Sequence, residues 1–309
     1  LDKLNIYDGQ DDSIDLPDIK LSGDVVGDVP ISLHWNFEDR NLYILPSSES
    51  LRADNYTLTL DSRSGGIVSE LDGSLLDGDR NETAGGPYIK QFNYQVPDNQ
   101  LVIRDFSAGP GQELGILGSN TTGIPILVTL DETNSSGISK ITGELSFDED
   151  TISDPVLSIS ETYQSSWEFV RLSNPENGKI EFKAKGRPDT LGQPNHLFTL
   201  SGKISDTATY GTSSLINIKG KINDTENEFE TNPSLVKIVY PGDVTNNAGY
   251  SALDASRIAR VAVGLDSGFD SLQNINPVLL ADVSGNGQIT SMDASILLRK
   301  AVGKDEDRI

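Results

Sequence analysis

Over roughly the first 240 residues, polar and apolar positions alternate in short runs. Tyr56-Thr57-Leu58-Thr59-Leu60 and Lys179-Ile180-Glu181-Phe182-Lys183 have the period of two that marks a half-buried strand. Clusters of Gly, Asn, Asp, Ser and Pro interrupt these runs at short intervals. Many short strands so punctuated predict antiparallel β-sandwiches. No amphipathic helix of ten or more residues is predicted in this stretch, which argues against a parallel α/β fold. The polar break Val96-Pro97-Asp98-Asn99-Gln100 divides the region into two expected units, residues 1–97 and 98–240. Each is of a usual size for one sandwich.

After Tyr240-Pro241-Gly242 the pattern changes to a period of 3.6 and alanine becomes common. A third, small α-helical unit is expected over residues 241–309, ending in a short acidic tail. It contains a repeat. Asp254-Ala255-Ser256, Arg260 and Ala262-Val263-Gly264 recur 39 residues later as Asp293-Ala294-Ser295, Arg299 and Ala301-Val302-Gly303.

Each copy opens with an Asp eleven residues before its Asp-Ala-Ser. Asp243, Thr245, Asn247, Gly249, Ser251 and Asp254 then fill positions 1, 3, 5, 7, 9 and 12 of a twelve-residue loop. Asp282, Ser284, Asn286, Gln288, Thr290 and Asp293 do the same in the second copy. Calcium takes six to eight oxygens, and such a loop supplies them from side chains at 1, 3, 5 and 12 and a backbone carbonyl at 7. Gly287 stands at position 6, where the turn wants positive φ. Ala248 stands there in the first loop and is expected to be strained. Ile289 and Tyr250 at position 8 are expected to pair across the two loops. An acidic chain yields isolated Asp-x-x-x-Asn patterns by chance, but chance does not explain two in register, each followed by the same helix. With two carboxylates per loop, the expected affinity is modest. Asp77, Asp79 and Asn81 repeat the 1, 3, 5 spacing, although position 12 is Tyr88. Either a third calcium ion is completed from elsewhere or the segment is a polar turn.

These residues carry family resemblances. The duplicated loop and helix pattern resembles dockerins, small modules that plug into cohesin domains; the resemblance implies two calcium ions and recognition through the helix faces. Leu101-Val102-Ile103, Gly109-Pro110-Gly111, Ile124-Pro125-Ile126-Leu127-Val128, Gly137-Ile138 and Gly143-Glu144-Leu145-Ser146-Phe147-Asp148 resemble the opening of a cohesin. Gly178-Lys179-Ile180-Glu181-Phe182 and Leu197-Phe198-Thr199-Leu200-Ser201-Gly202-Lys203-Ile204 fit its later strands. That resemblance implies a nine-stranded sandwich of jelly-roll topology. The first unit, through Asn55-Tyr56-Thr57-Leu58-Thr59-Leu60 and the Asp77 segment, resembles bacterial immunoglobulin-like modules of secreted proteins. The whole resembles scaffoldin-type proteins of cellulosome-like assemblies.

Charge and composition narrow the function. Among 309 residues, 47 acidic against 24 basic leave a net charge of -23. Such a chain repels nucleic acid and anionic membrane surfaces and attracts cations. The absence of cysteine excludes disulfides and thiolate metal sites. Beginning at Leu1 with no apolar targeting segment, the chain reads as a mature protein or an excised fragment. Ile124 to Leu130, the longest apolar stretch, is interrupted by Pro125 and too short to insert into a bilayer. The two histidines, His34 and His196, fall in separate units, and no nucleophile-elbow, P-loop or His-Glu-x-x-His motif occurs.

In the two repeat helices the expected buried stripes are Ala255, Ile258, Ala259, Ala262 and Ala294, Leu297, Leu298, Ala301. The expected recognition surface is Ala252, Leu253, Arg257 and Arg260 with Ser291, Met292, Ile296 and Arg299. The predicted protein is a non-catalytic, extracellular or cell-surface assembly component. Its partners are cohesin or dockerin modules of other proteins, or copies of itself joined head to tail. Two alternatives stand beside it: a carbohydrate-binding β module displayed through a dockerin, and a carboxylate-dependent glycoside hydrolase.

Overall fold

The computed structural model describes residues 4–5, 18–36, 40–47, 50–62, 67–69, 74–97, 100–116, 122–129, 137–173, 177–187, 195–223 and 228–304. The protein is mainly β. The expected acidic tail and the 98–99 part of the expected first break lie outside these residues.

The first strands are β1 (Leu4–Asn5), β2 (Ile19–Gly23), β3 (Gly27–Val29), β4 (Ile31–Asn36), β5 (Asn41–Pro46), β6 (Asp54–Leu60), β7 (Val68–Ser69) and β8 (Tyr88–Tyr94). They build one antiparallel sheet, β3-β2-β6-β8, a β4–β5 hairpin and a β1–β7 pair. Their core is thin, divided between a patch around Ile19 and Ile67 and another around Leu21, Val29 and Tyr56.

The middle strands are β9 (Gln100–Ile103), β10 (Phe106–Ser107), β11 (Ile124–Thr129), β12 (Lys140–Ser146), β13 (Ile152–Ile159), β14 (Trp167–Arg171), β15 (Lys179–Gly186), β16 (Asn195–Ile204), β17 (Ser213–Ile222), β18 (Glu228–Glu230) and β19 (Ser234–Lys237). One sheet runs β13-β16-β11-β9 and the other β10-β19-β17-β12-β15-β14, with β18 also paired to β17. Alternation decides which side chains go inside. In β11, Ile124, Ile126 and Val128 are fully buried, and in β15 Ile180, Phe182 and Ala184 are. The chain passes repeatedly from sheet to sheet, and the parallel β10–β19 pair closes the layer. Between the sheets Phe182 and Phe198 meet edge to face at 5.2 Å.

Three helices follow: α1 (Ala252–Ala262), α2 (Pro277–Ala281) and α3 (Ser291–Ala301). Ser251 and Thr290 cap α1 and α3, each in a reciprocal capping box with the Asp three residues on. The connecting helix is short. Pro277 fixes its first turn, Asn276 caps it, and it ends after five residues. The core around α1 and α3 is not self-contained. Leu235 of β19 and Leu45 of β5 join Ile258, Phe269, Leu280 and Leu297 in one buried cluster.

Candidate functional site

The two Asp loops fold into the same hydrogen-bond lattice. Asp243 accepts at Oδ1 from Thr245 Oγ1 (3.2 Å) and the Asn247 N–H (3.2 Å), and at Oδ2 from the Ala248 N–H (2.7 Å). Asp282 accepts in the same order from Ser284 Oγ (3.2 Å), the Asn286 N–H (3.0 Å) and the Gly287 N–H (2.6 Å). Asp254 binds the Thr245 N–H and the Ser251 N–H and hydroxyl; Asp293 binds the Ser284 N–H and the Thr290 N–H and hydroxyl. Asn247 and Asn286 accept from the N–H two residues on, at Gly249 and Gln288. The backbone turns agree: φ is +58° at Asn246 and +62° at Ala248, against +72° at Gly285 and +84° at Gly287. Ala248 therefore holds the left-handed conformation its position demands.

Asp243, Asp254 and Asp293 are fully buried and Asp282 is nearly so. Among the described residues no Lys or Arg pairs with any of them; Arg257 and Arg260 instead bind Asp270 and Asp266. Buried carboxylates without a cation are costly. Among the described residues no three His, Cys, Asp or Glu converge, so each loop offers two carboxylates and otherwise neutral oxygens. That donor set is hard and all-oxygen, and it fits calcium. Asp243, Thr245, Asn247, Asp254 and the Gly249 carbonyl would hold one ion. Asp282, Ser284, Asn286, Asp293 and the Gln288 carbonyl would hold the other. Among the described residues no backbone bridge joins Tyr250 to Ile289; both are half-buried against the shared core. The Tyr250 ring instead lies 6.3 Å from that of Tyr240, with Lys300 over its face.

The Asp77 segment has the same local pattern. Asp77 accepts from the Asn81 and Glu82 N–H groups, Asn81 Oδ1 accepts from Thr83 N–H, and φ is +58° at Arg80 and +67° at Glu82. Asp79 faces Gly86, and Tyr88 at position 12 lies in β8, so the segment itself brings no second acidic wall.

What surrounds the loops differs. Tyr210, in the turn before β17, donates its hydroxyl to Asp243 Oδ2 and accepts the Tyr240 N–H at 3.1 Å. Burial, then the bond to Asp243, pushes the Tyr210 phenol well above its ordinary range. Asp282 instead borders a cavity of about 180 Å³ beside Asp105. Burial pushes the Asp105 carboxyl up to about 6, against the opposing Leu235 N–H bond. No sequence signal marks Tyr210, which lies 33 residues before the Asp it binds.

On the helices Ala252, Leu253 and Arg260, with Ser291, Met292 and Arg299, are exposed as expected, Leu253 at 55% and Met292 at 53%. Arg257 is half-buried. Ile296 departs from expectation. It is only 8% exposed, whereas Leu298, expected in the buried stripe, is 46% exposed. Asp293 must face its loop and Leu297 the core, so the residue three after Asp293 is carried inward with them. The equivalent place on α1 is held by Arg257, which extends outward to Asp270. Among the described residues no helix is long and apolar enough to cross a membrane.

No protein-family profile and no curated protein matches the chain. Solved structures similar to it include the third cohesin of ScaC from Acetivibrio cellulolyticus, in complex with the ScaB dockerin, at 18% identity and a TM-score of 0.36. A cohesin of a Coh-OlpA-Doc918 complex from Clostridium thermocellum is similar at 15% identity and a TM-score of 0.34. In both, 46% of this chain covers 99% of the other. A type III cohesin from the ScaE cell-surface anchoring scaffoldin of Ruminococcus flavefaciens matches at 10% identity and a TM-score of 0.32, covering 46% of this chain and 88% of its own. At such identities and scores the likeness assigns neither a family nor a partner.

Proposed function

We propose that the protein is a non-catalytic, extracellular assembly component. Its C-terminal unit acts as a dockerin-like module that holds two calcium ions, and its middle unit acts as a cohesin-like sandwich. The observation that carries this reading is the doubled loop: two sets of buried, unpaired aspartates in one hydrogen-bond lattice, each capping an equivalent helix. Supporting it, the middle strands among the described residues form two sheets, β13-β16-β11-β9 and β10-β19-β17-β12-β15-β14 with β18 on β17, around one apolar core. Lys140, Lys179, Lys183 and Lys185 share the outward face of β12 and β15 with Glu144 and Glu181, and Glu144 pairs with Lys179 and Lys219, so this is a mixed-charge face open to a polar protein surface. The C-terminal unit is tethered by Pro241-Gly242 and packed on its own β19, so pairing between cohesin-like and dockerin-like units of this chain joins different molecules. The first unit serves as an immunoglobulin-like spacer.

Calorimetric titration with calcium should show two sites, and binding to immobilised cohesin and dockerin modules should be lost on chelation. A melting profile unchanged by chelator would overturn the calcium reading. A monomer by light scattering at rising concentration with calcium present would restrict the partners to foreign modules. Surface variants should be Met292→Asp and Leu253→Asp; Ile296→Asp would lower stability.

A further inference from the structure

A cavity of about 510 Å³ opens where the β4–β5 hairpin, the start of β17 and the segment 270–275 meet. Junctions between units are where ligand sites concentrate, and this volume has room for one or two sugar rings.

Its wall contains a buried cation. In β19, Val236 points into the sandwich, so Leu235 and Lys237 point the other way, into the junction. Lys237 is 7% exposed. Its Nζ donates to the Gly211 carbonyl at 2.5 Å, and among the described residues no carboxylate pairs with it. An ammonium has three donors, and burying one without a counter-ion is unfavourable. Burial lowers its pKa to about 8, which leaves it largely protonated at neutral pH. On a chain rich in carboxylates, none of the described ones is placed against this ammonium. Asp270, the acidic residue that lines the cavity, is held by Arg257 at 3.0 Å.

Two further features face the same space. Asn246 Oδ1 is buried with no hydrogen-bond donor. Trp35 on β4 brings an indole to the wall, with the amides of Gln273 and Asn274 nearby. The cavity thus asks for an anion, a hydroxyl donor and a flat apolar face in one small molecule. We propose that it binds a hexuronate, an acidic sugar whose carboxylate meets Lys237, whose hydroxyls meet Asn246 and whose ring lies against Trp35. A sugar held there would touch the hairpin, the sandwich and the C-terminal unit together. The site is independent of the partner-binding reading above.

The test is calorimetric titration of the full, calcium-saturated chain with D-glucuronate and D-galacturonate, beside D-glucose and acetate. At least one uronate should bind, and glucose and acetate should bind at least tenfold more weakly. Lys237→Met should reduce uronate affinity at least tenfold while its melting temperature holds or rises, because an unpaired buried charge has been removed. Trp35→Ala, on a half-exposed strand position, should also lose binding and the ligand-dependent change in tryptophan fluorescence. No heat from either uronate, acetate binding as tightly as the uronates, or unchanged affinity in both variants would each overturn the proposal.

Discussion

The first and second Asp loops share a lattice and differ in their anchorage. The first is bolted to the sandwich: Asp243 takes a fourth hydrogen bond from Tyr210, and Tyr210 in turn takes the Tyr240 N–H. The second opens beside a cavity, and among the described residues Asp282 has the three bonds of its own loop. Yet the second has the better sequence, with Gly287 where the first has Ala248. Local fitness and tertiary support are thus distributed unequally, and the weaker loop has the stronger surroundings.

The largest expected effect breaks that support directly. Asp243→Ala strands two hydroxyl donors and two backbone N–H groups, and should cost about 3–5 kcal/mol in urea unfolding of the calcium-free chain. Asp282→Ala strands three donors in a more open place and should cost about 2 kcal/mol. Equal losses would show that Tyr210 adds nothing.

Next comes the neighbour of the second loop. Asp105 has a folded pKa of about 6, raised by burial above its unfolded value. The folded state holds this proton more tightly, so the group favours folding below about pH 4, and that contribution is lost as pH rises through 6. Asp105→Asn keeps an acceptor for the Leu235 N–H and cannot ionise. It should stabilise the chain at pH 7 by up to about 3 kcal/mol and make no difference near pH 4. Thermal melts across that range decide it; a pH-independent gain would remove the titration argument.

A smaller effect isolates the bolt. Tyr210→Phe keeps the ring and its packing on Tyr240 at 5.5 Å but removes both hydroxyl bonds. It should cost about 1–2 kcal/mol and weaken calcium at one site alone, seen as a split of the two steps in a titration. Equal weakening of both sites would mean that the loops act as one unit.

The sequence made the loops legible because their chemistry is local: oxygen donors and turn positions lie within twelve residues, and duplication supplies an internal control. The strands of the middle unit were legible for the same reason, since alternation in β11 and β15 reports burial directly. Ile296 was misplaced because helical periodicity fixes a stripe only to within one position, and the ligand Asp293 decides the rotation. What could not be read is non-local. Nothing near Leu45 marks it as part of a core completed by Leu297, and nothing near Lys237 marks the cavity it enters. The first strands were least legible as a fold, since their core is two thin patches rather than one interior.

The subtlest way to sharpen the comparison is to exchange position 6 between the loops. Ala248 and Gly287 both sit at positive φ, +62° and +84°. A Cβ at Gly287 would meet nothing within 4 Å, so the cost of Gly287→Ala is conformational rather than steric contact with neighbours. A left-handed L-residue costs roughly 1 kcal/mol relative to glycine. Ala248→Gly should therefore stabilise the chain by about 1 kcal/mol, less the greater unfolded-state freedom of glycine, and Gly287→Ala should destabilise it by a similar amount. Calcium affinity should move the same way, rising at the first loop and falling at the second. If Ala248→Gly gives no gain, then the anchorage through Tyr210 already fixes that turn, and its strain is set by the sandwich rather than by the residue.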